Sequence, residues 1–312
     1  MSGGGTSAYA ALIAIIADLL LFPALDGSAR AEPPVSDDTN SIVLGAHGLT
    51  PTTPVSTPAN EGAAESLEVS ARAAFASDYI YRGVTLSDHK PSVGAGIEAA
   101  LGALYAGTTF SSVKLPNQPA VETATSAGLR PKLWNINWDF AWNYYAYPGM
   151  HSGPTVDYWQ VSGRADTKLT QSLSVAAGFA YSPNFSNTGA WSKYGAFGVG
   201  VDLPRTGLLQ DVTSSVTAGV GYSWFGNQSA ELGGFPLPAY LNWNAGLTLK
   251  RKIFSLDLRY YDTNLSKENC FVFTGDPNAT PGGQVNPVTN PEGLTSRWCS
   301  ATFVAKFGFE LD

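Results

Sequence analysis

Polar and hydrophobic positions alternate with a period of two through most of residues 67–312. The clearest case is Trp134 to Ala146. There Trp134, Ile136, Trp138, Phe140, Trp142, Tyr144 and Ala146 alternate with Asn135, Asn137, Asp139, Ala141, Asn143 and Tyr145. Successive side chains of a strand point to opposite faces, so this stretch predicts a ribbon with one apolar face and one wet face. A soluble sheet would hide the apolar face in a core. A membrane barrel would turn it to lipid and the Asn/Asp face to an aqueous lumen.

The same alternation recurs along the chain between turn residues. Leu67–Arg82 puts Leu67, Val69, Ala71, Ala73, Phe75, Tyr79 and Tyr81 on one face. Ser92–Leu101 puts Val93, Ala95, Ile97 and Ala99 outside and Gly94, Gly96 and Glu98 inside. Leu104–Val113, Ala120–Arg130, the tryptophan ribbon, Val156–Ala165, Ser172–Tyr181, Trp191–Leu203, Val212–Phe225, Leu241–Leu249, Phe254–Tyr260 and Ala301–Phe309 bring the set to about twelve. Single-chain bacterial barrels have an even strand number, and an open sheet edge does not survive in lipid. The prediction is therefore all-β: a closed antiparallel transmembrane β-barrel of about twelve strands in an up-and-down meander.

The connections sort by length. With the N-terminus in the periplasm, the external ones are Gly83–Pro91, Lys114–Pro119, Tyr147–Thr155, Ser182–Ala190, Gly226–Pro238 and Asn264–Arg297. The internal ones are mostly tight, at Gly102, Pro131-Lys132, Asp166–Lys168 and Lys250–Lys252, with Pro204–Asp211 the longest. Tyr79, Tyr81, Tyr144, Tyr147, Trp191, Trp224, Tyr240, Tyr260 and Trp298 gather at strand ends, where an aromatic belt meets the lipid–water boundary.

Composition agrees with this picture. Charged residues are 14% and aromatics 12%, with 33 glycines; soluble domains carry about 25% charge. The net charge of −7 argues against a nucleic-acid partner. Tyr9 to Leu25 is apolar apart from Asp18 and leads to Ala29-Arg30-Ala31, which predicts a signal peptide over residues 1–31. No Lys or Arg precedes that apolar run. Residues 32–66 are rich in Pro, Thr and Ser and predict a disordered tether, followed by the barrel over 67–312.

The sequence holds no catalytic constellation. His47, His89 and His151 fall in the tether and two loops, without a nucleophile motif, and no metal-ligand spacing occurs. The expectation is no enzyme, no cofactor and no metal. Cys270 and Cys299 flank the long last loop, and outside the cytoplasm an even count favours a disulfide. On the chain-entropy model that bond stabilises by about 3–4 kcal/mol, the alternative being two free thiols.

Inward charges are Arg72, Glu98, Asp139, Asp202, Asp257, Arg259 and Lys306. Either they set a field for passing solutes, or they brace the wall as cross-strand pairs such as Asp257 with Lys306. Bracing is favoured for most, because a twelve-strand lumen is narrow. Asp78 and Arg82 lie four apart in a strand, hence on one face, and are a candidate mouth or loop-anchoring pair. The candidate lumen lining is Asp78, Arg82, Glu98, Asn135, Asn137, Asp139, Asn143, Asp257, Arg259 and Lys306.

The run Ser77-Asp78-Tyr79-Ile80-Tyr81-Arg82-Gly83-Val84-Thr85-Leu86-Ser87-Asp88-His89-Lys90-Pro91 resembles the opening motif of the TorF-like porin family, S-D-Y-x-[FY]-R-G-[IV]-[ST]-x-[ST], often closed by Lys-Pro. Leu104-Tyr105-Ala106-Gly107, Tyr144 to Gly149, Tyr181 to Phe185 and Tyr261 to Asn264 are similar to later landmarks, in order. The long Asn264–Arg297 loop departs from that pattern, and so does the ending Phe309-Glu310-Leu311-Asp312, which lacks the terminal aromatic read by the assembly machinery. The resemblance implies an outer-membrane barrel; the family assigns no solute.

The expected function is passive diffusion of small hydrophilic solutes through a narrow polar lumen. The expected partners are the outer-membrane bilayer, those solutes and, during biogenesis, the barrel assembly machinery. A closed barrel serving as a surface binding or adhesion scaffold, through the Gly/Pro/Asn-rich stretch Asp276 to Pro291, is the alternative. On the strand reading, Trp138→Asp blocks insertion and Asn137→Asp is tolerated.

Overall fold

The computed structural model describes residues 67–151, 153–204 and 211–311. The signal peptide and tether expected over residues 1–66 lie outside them. Twelve long strands follow one another: β1 Leu67–Ala76, β2 Ser92–Leu101, β3 Leu104–Ser112, β4 Val121–Leu129, β5 Ile136–Ala146, β6 Tyr158–Lys168, β7 Leu173–Ser182, β8 Ser192–Leu203, β9 Thr213–Phe225, β10 Tyr240–Arg251, β11 Phe254–Thr263 and β12 Thr302–Leu311. Each pairs antiparallel with its sequence neighbour, and β12 pairs with β1 to close the barrel. All twelve fall where the alternation predicts. An unpaired edge in lipid would leave a row of unsatisfied N–H and C=O groups; closure removes it.

Facing follows parity. Val93, Phe179 and Phe303 are 57%, 56% and 61% exposed on the outer wall. That apolar band, continued by Phe75, Ile97, Phe110, Trp142 and Val220, is far larger than water tolerates, and it is the lipid face of a membrane-spanning barrel. Inner positions carry Ser70, Arg72, Glu98, Ser111, Glu122, Asn143, Gln160, Thr217 and Asn244, all buried. Leu104 and Phe110 point out and Tyr105 and Ser111 in, which settles the facing of β3. Small inner residues make room for large ones: a Cβ at Gly221 would collide with the Tyr194 hydroxyl.

Four boundaries differ from the pattern. First, β1 stops at Ala76. Ile80–Tyr81 then pairs with Val84–Thr85 in a separate two-rung hairpin that does not join the wall. Its turn residues Arg82 and Gly83 both have positive φ, 49° and 82°, which suits a tight hairpin turn of mirror-image type. Second, the turn expected at Pro131-Lys132 lies at Trp134-Asn135. Both residues there are left-handed (φ 53° and 61°), and Leu133 pairs with Ile136. Trp134 and Asn135 are therefore both exposed turn residues, so Asn135 sits in the turn and not in the strand wall that lines the lumen. Third, β6 runs on to Lys168, because Asp166 and Lys168 continue the inward parity and pair with Asn137 and Ser174. Fourth, the long last loop is ordered. It contains one helix, α1 Lys267–Thr274, whose Ser266 side chain accepts from the Asn269 N–H at its start.

Only part of the expected aromatic belt faces outward. Tyr144, Trp191, Trp224 and Tyr260 are exposed. Tyr79, Tyr81, Tyr147, Tyr240 and Trp298 are buried inside the loop end of the barrel, because the inward hairpin and the last loop bring them, or neighbours for them, across the mouth.

Candidate functional site

The lumen is built in two storeys. Near the tight-turn end, Glu98 on β2 takes both Arg72 of β1 and Arg130 just past β4. Arg72 Nη2 lies 3.7 Å from Glu98 Oε2 and Arg130 Nη2 donates at 3.0 Å. Arg130 Nε also donates to Asp139 on β5 at 3.1 Å and its guanidinium lies over the Tyr105 ring at 3.5 Å. Tyr105 in turn donates its hydroxyl to Asp139 at 2.7 Å. Beside them Asn137 donates to Asp166 at 3.0 Å, and Arg164 Nε to the same carboxylate at 3.2 Å. This contact argues against the expected tolerance of Asn137→Asp, since a second carboxylate there would face the first.

On the opposite wall, Arg259 is 1% exposed. It donates to Asp257 through Nε and Nη2 (3.0 and 2.9 Å), to Asn244 at 2.7 Å and to Thr217 at 2.8 Å. Lys306 stands across from Asp257 in register, as expected. The ion pair nevertheless goes to Arg259, which shares the inner face two residues along and surrounds the carboxylate from closer range. Higher up, Asn143 bridges Ser126 and Ser162 across three strands.

The loop-end storey is organised by Ser77–Pro91. Asp78 and Arg82 do not form a pair on one face, because the strand that would align them ends before Asp78. Asp78 instead ties the segment to itself. Its carboxylate accepts from the Thr85 hydroxyl (2.5 Å) and the Ser87 hydroxyl (2.8 Å) and meets His89 Nδ1 at 2.8 Å. The Thr85 N–H donates to the Trp298 carbonyl at 2.9 Å, and the Trp298 indole donates to Asp88 at 3.0 Å, so the last loop is stitched onto the hairpin. The sequence motif is thus a self-tied hairpin whose fixed positions are each other's partners.

Arg82 leaves this hairpin at its tip and crosses the lumen. Its Nη2 donates to Gln160 on β6 at 3.3 Å, and its guanidinium lies 4.1 Å from the Tyr194 ring on β8 and 4.6 Å from that of Tyr81. A side chain at Gly83 would collide with Thr263 of β11, which shows how closely the tip is seated against the wall. Glu122, 1% exposed, accepts from the hydroxyls of Tyr79 (2.6 Å) and Tyr147 (2.7 Å) and pins the hairpin base to β4.

Over this sits an apolar cap. Val84, Ala190, Phe225, Leu237, Tyr240 and Trp298 pack with Cys270 and Cys299, which are joined in a disulfide. Phe185 and Phe273 lean on it, their rings 6.2 Å apart. Below the hairpin, a cavity of about 140 Å³ is lined by Arg82, Gln160, Asn143, Glu98, Asp139 and Arg164, among others. Among the described residues no His/Cys/Asp/Glu group could hold a metal ion.

Arg130, Glu122, Gln160 and Arg164 were missing from the expected set. The signal for the first two was present: counting by twos along β4 from Glu122 to Arg130 keeps both on the inner face.

Residues 60–281 match the profile of a family described as a bacterial protein of unknown function, Gcw_chp. The chain belongs to this family. The match runs from before β1 into the last loop and includes the inward hairpin. No curated protein matches the Gcw_chp chain in sequence. Among solved structures it is similar to the KdgM porin, at 9% identity and TM-score 0.41 over 78% of this chain and 99% of that chain. It is also similar to the NanC porin, at 8% and 0.41 over 78% and 100%. A third is an outer membrane channel from Pseudomonas putida F1, at 11% and 0.38 over 80% and 97%.

Proposed function

We propose that this Gcw_chp protein is an outer-membrane channel that passes small hydrophilic solutes by passive diffusion, with the inward hairpin as its constriction. The observation that carries this reading is the cavity of about 140 Å³ lined by guanidinium, carboxylate, amide and hydroxyl groups, inside a wall whose outer face is apolar. Paired charges along a narrow lumen hold water and set a weak field for solutes. The likeness of Ser77–Pro91 to the TorF-like porin motif supports the same reading. The bilayer is then the barrel's standing partner, and the assembly machinery its partner during insertion.

Swelling of liposomes holding the refolded protein tests this. Influx of small sugars that falls steeply with size supports a narrow channel, and swelling equal to that of protein-free liposomes rejects it. The scaffold reading draws on the exposed Val285 and Val288 of the last loop, 64% and 71% accessible. Deleting Asp276–Pro291 separates the two, since a channel keeps its flux and a scaffold loses its partner.

A further inference from the structure

Arg82 is unlike every other charge on the cavity. Arg72 and Arg130 have Glu98, Asp139 has Arg130, and Arg164 has Asp166. Arg82 is 4% exposed, yet among the described residues no carboxylate lies within ion-pair distance of it. Its protein partners are neutral: the Gln160 side-chain oxygen and the faces of Tyr81 and Tyr194. Its Nε is buried and has no protein acceptor. The residue also sits at φ 49°, a backbone conformation that costs a non-glycine residue.

A buried guanidinium with one hydrogen-bonding edge unused is expensive, and aromatic faces offset only part of that cost. Such an arrangement is what an anion site needs: a fixed positive charge, low dielectric and a preorganised planar donor edge. Cation–π contacts to two rings hold the plane, Gln160 fixes its rotation about the side chain, and the hairpin turn fixes its height in the lumen. The groups next along the cavity, Asn143, Ser126 and Ser162, are neutral and polar, and the carboxylates that also line it, Glu98 and Asp139, are each paired with an arginine.

We propose that Arg82, held by Tyr81, Tyr194 and Gln160, is a binding site for a small carboxylate-bearing solute inside the barrel. The carboxylate meets the part of the guanidinium that borders the cavity, and the remainder of the solute lies in the polar cavity below. This rests on the channel reading only in that a solute must reach the lumen.

The test is a titration of the refolded protein in zwitterionic detergent, following the arginine side-chain Nε–H resonances by NMR at constant chloride. Sodium acetate is the probe and acetamide, its neutral isostere, the control. A saturable shift of the Arg82 resonance with acetate and none with acetamide is expected. Arg82→Lys keeps the charge but loses the planar edge, and weakens binding about tenfold or more. Equal responses to acetate and acetamide, no response to either, or competition by chloride at equal concentration overturns the proposal. If Arg82→Lys does not refold, the wild-type titration still decides, with the resonance identified from Arg82→Gln or by its response to Gln160→Ala. The same preparation in bilayers separates the two readings: binding without conductance rejects the channel, and conductance without acetate binding rejects the site.

Discussion

Removing the Cys270–Cys299 bond tests whether the last loop is a fixed cap. A cross-link spanning 29 residues of free chain is worth about 3.6 kcal/mol in loop entropy. The barrel lowers that figure. Tyr261 and Thr302 are paired across β11 and β12, so the opened loop is already a ring of about forty residues. The disulfide divides this ring into parts of about 30 and 12 residues, equivalent to a single loop of about eight, and the same expression gives about 2.5 kcal/mol. Opening of the cap should therefore become about 70-fold more frequent at 25 °C in a Cys270→Ser/Cys299→Ser protein. Hydrogen exchange read by mass spectrometry reports it directly. Peptides covering α1 and Trp298 should exchange about 70-fold faster, while strand peptides stay unchanged. A change of less than about threefold in those loop peptides would refute the reasoning, because the link would then not limit opening. Equal acceleration in the strands would refute it too, since the cap would not be a separate unit.

Other expectations follow from the same contacts. Trp142 lies nearer the middle of β5 than Trp138, so Trp142→Arg should cost about 2–4 kcal/mol of insertion and exceed Trp138→Arg, read by heat-modified gel mobility after refolding into vesicles. Asn137→Asp, set against Asp166, should lower the urea midpoint at pH 7 and recover as pH falls towards the carboxylate range; an unchanged midpoint contradicts the 3.0 Å contact. Glu122→Ala leaves two buried tyrosine hydroxyls without their acceptor and should destabilise the hairpin by about 3 kcal/mol, seen as loss of exchange protection over residues 79–87. The bond to Asp78 is the main cause holding the His89 pKa above its ordinary value, against partial burial. Its stabilising contribution is therefore complete below about pH 6.5 and is lost as pH rises through the raised value, so hairpin protection should fall over that window and His89→Gln should abolish the dependence.

Period-two alternation carries strand number, facing and closure, because a wall between lipid and water enforces it at every position. It misleads where alternation continues but the strand does not. Asp78, Ile80 and Arg82 alternate with Tyr79 and Tyr81 as though still in β1. The break lies in the left-handed Arg82-Gly83 pair and in Asp78's bonds to Thr85, Ser87 and His89, which no periodicity records. Trp134 misleads the same way, as an apolar residue in phase with its strand yet seated in the turn before it. The meeting of Arg82 with Gln160, 78 residues away, depends on how the closed ring sets β6 opposite β1, and a one-dimensional pattern holds no such information. Two thiols outside the cytoplasm signalled their own bond, but not that it would seal an apolar cap.

Single-channel recording tests the central claim most directly. The refolded protein is compared in planar bilayers with a variant in which Tyr79–Ser87 is replaced by a short Asn-Gly turn. Small, intermittent conductance in the wild type and a larger, steadier one in the variant are predicted, since the polar lumen continues beneath the hairpin. A variant that is folded by heat-modified gel mobility yet carries no current would contradict the account.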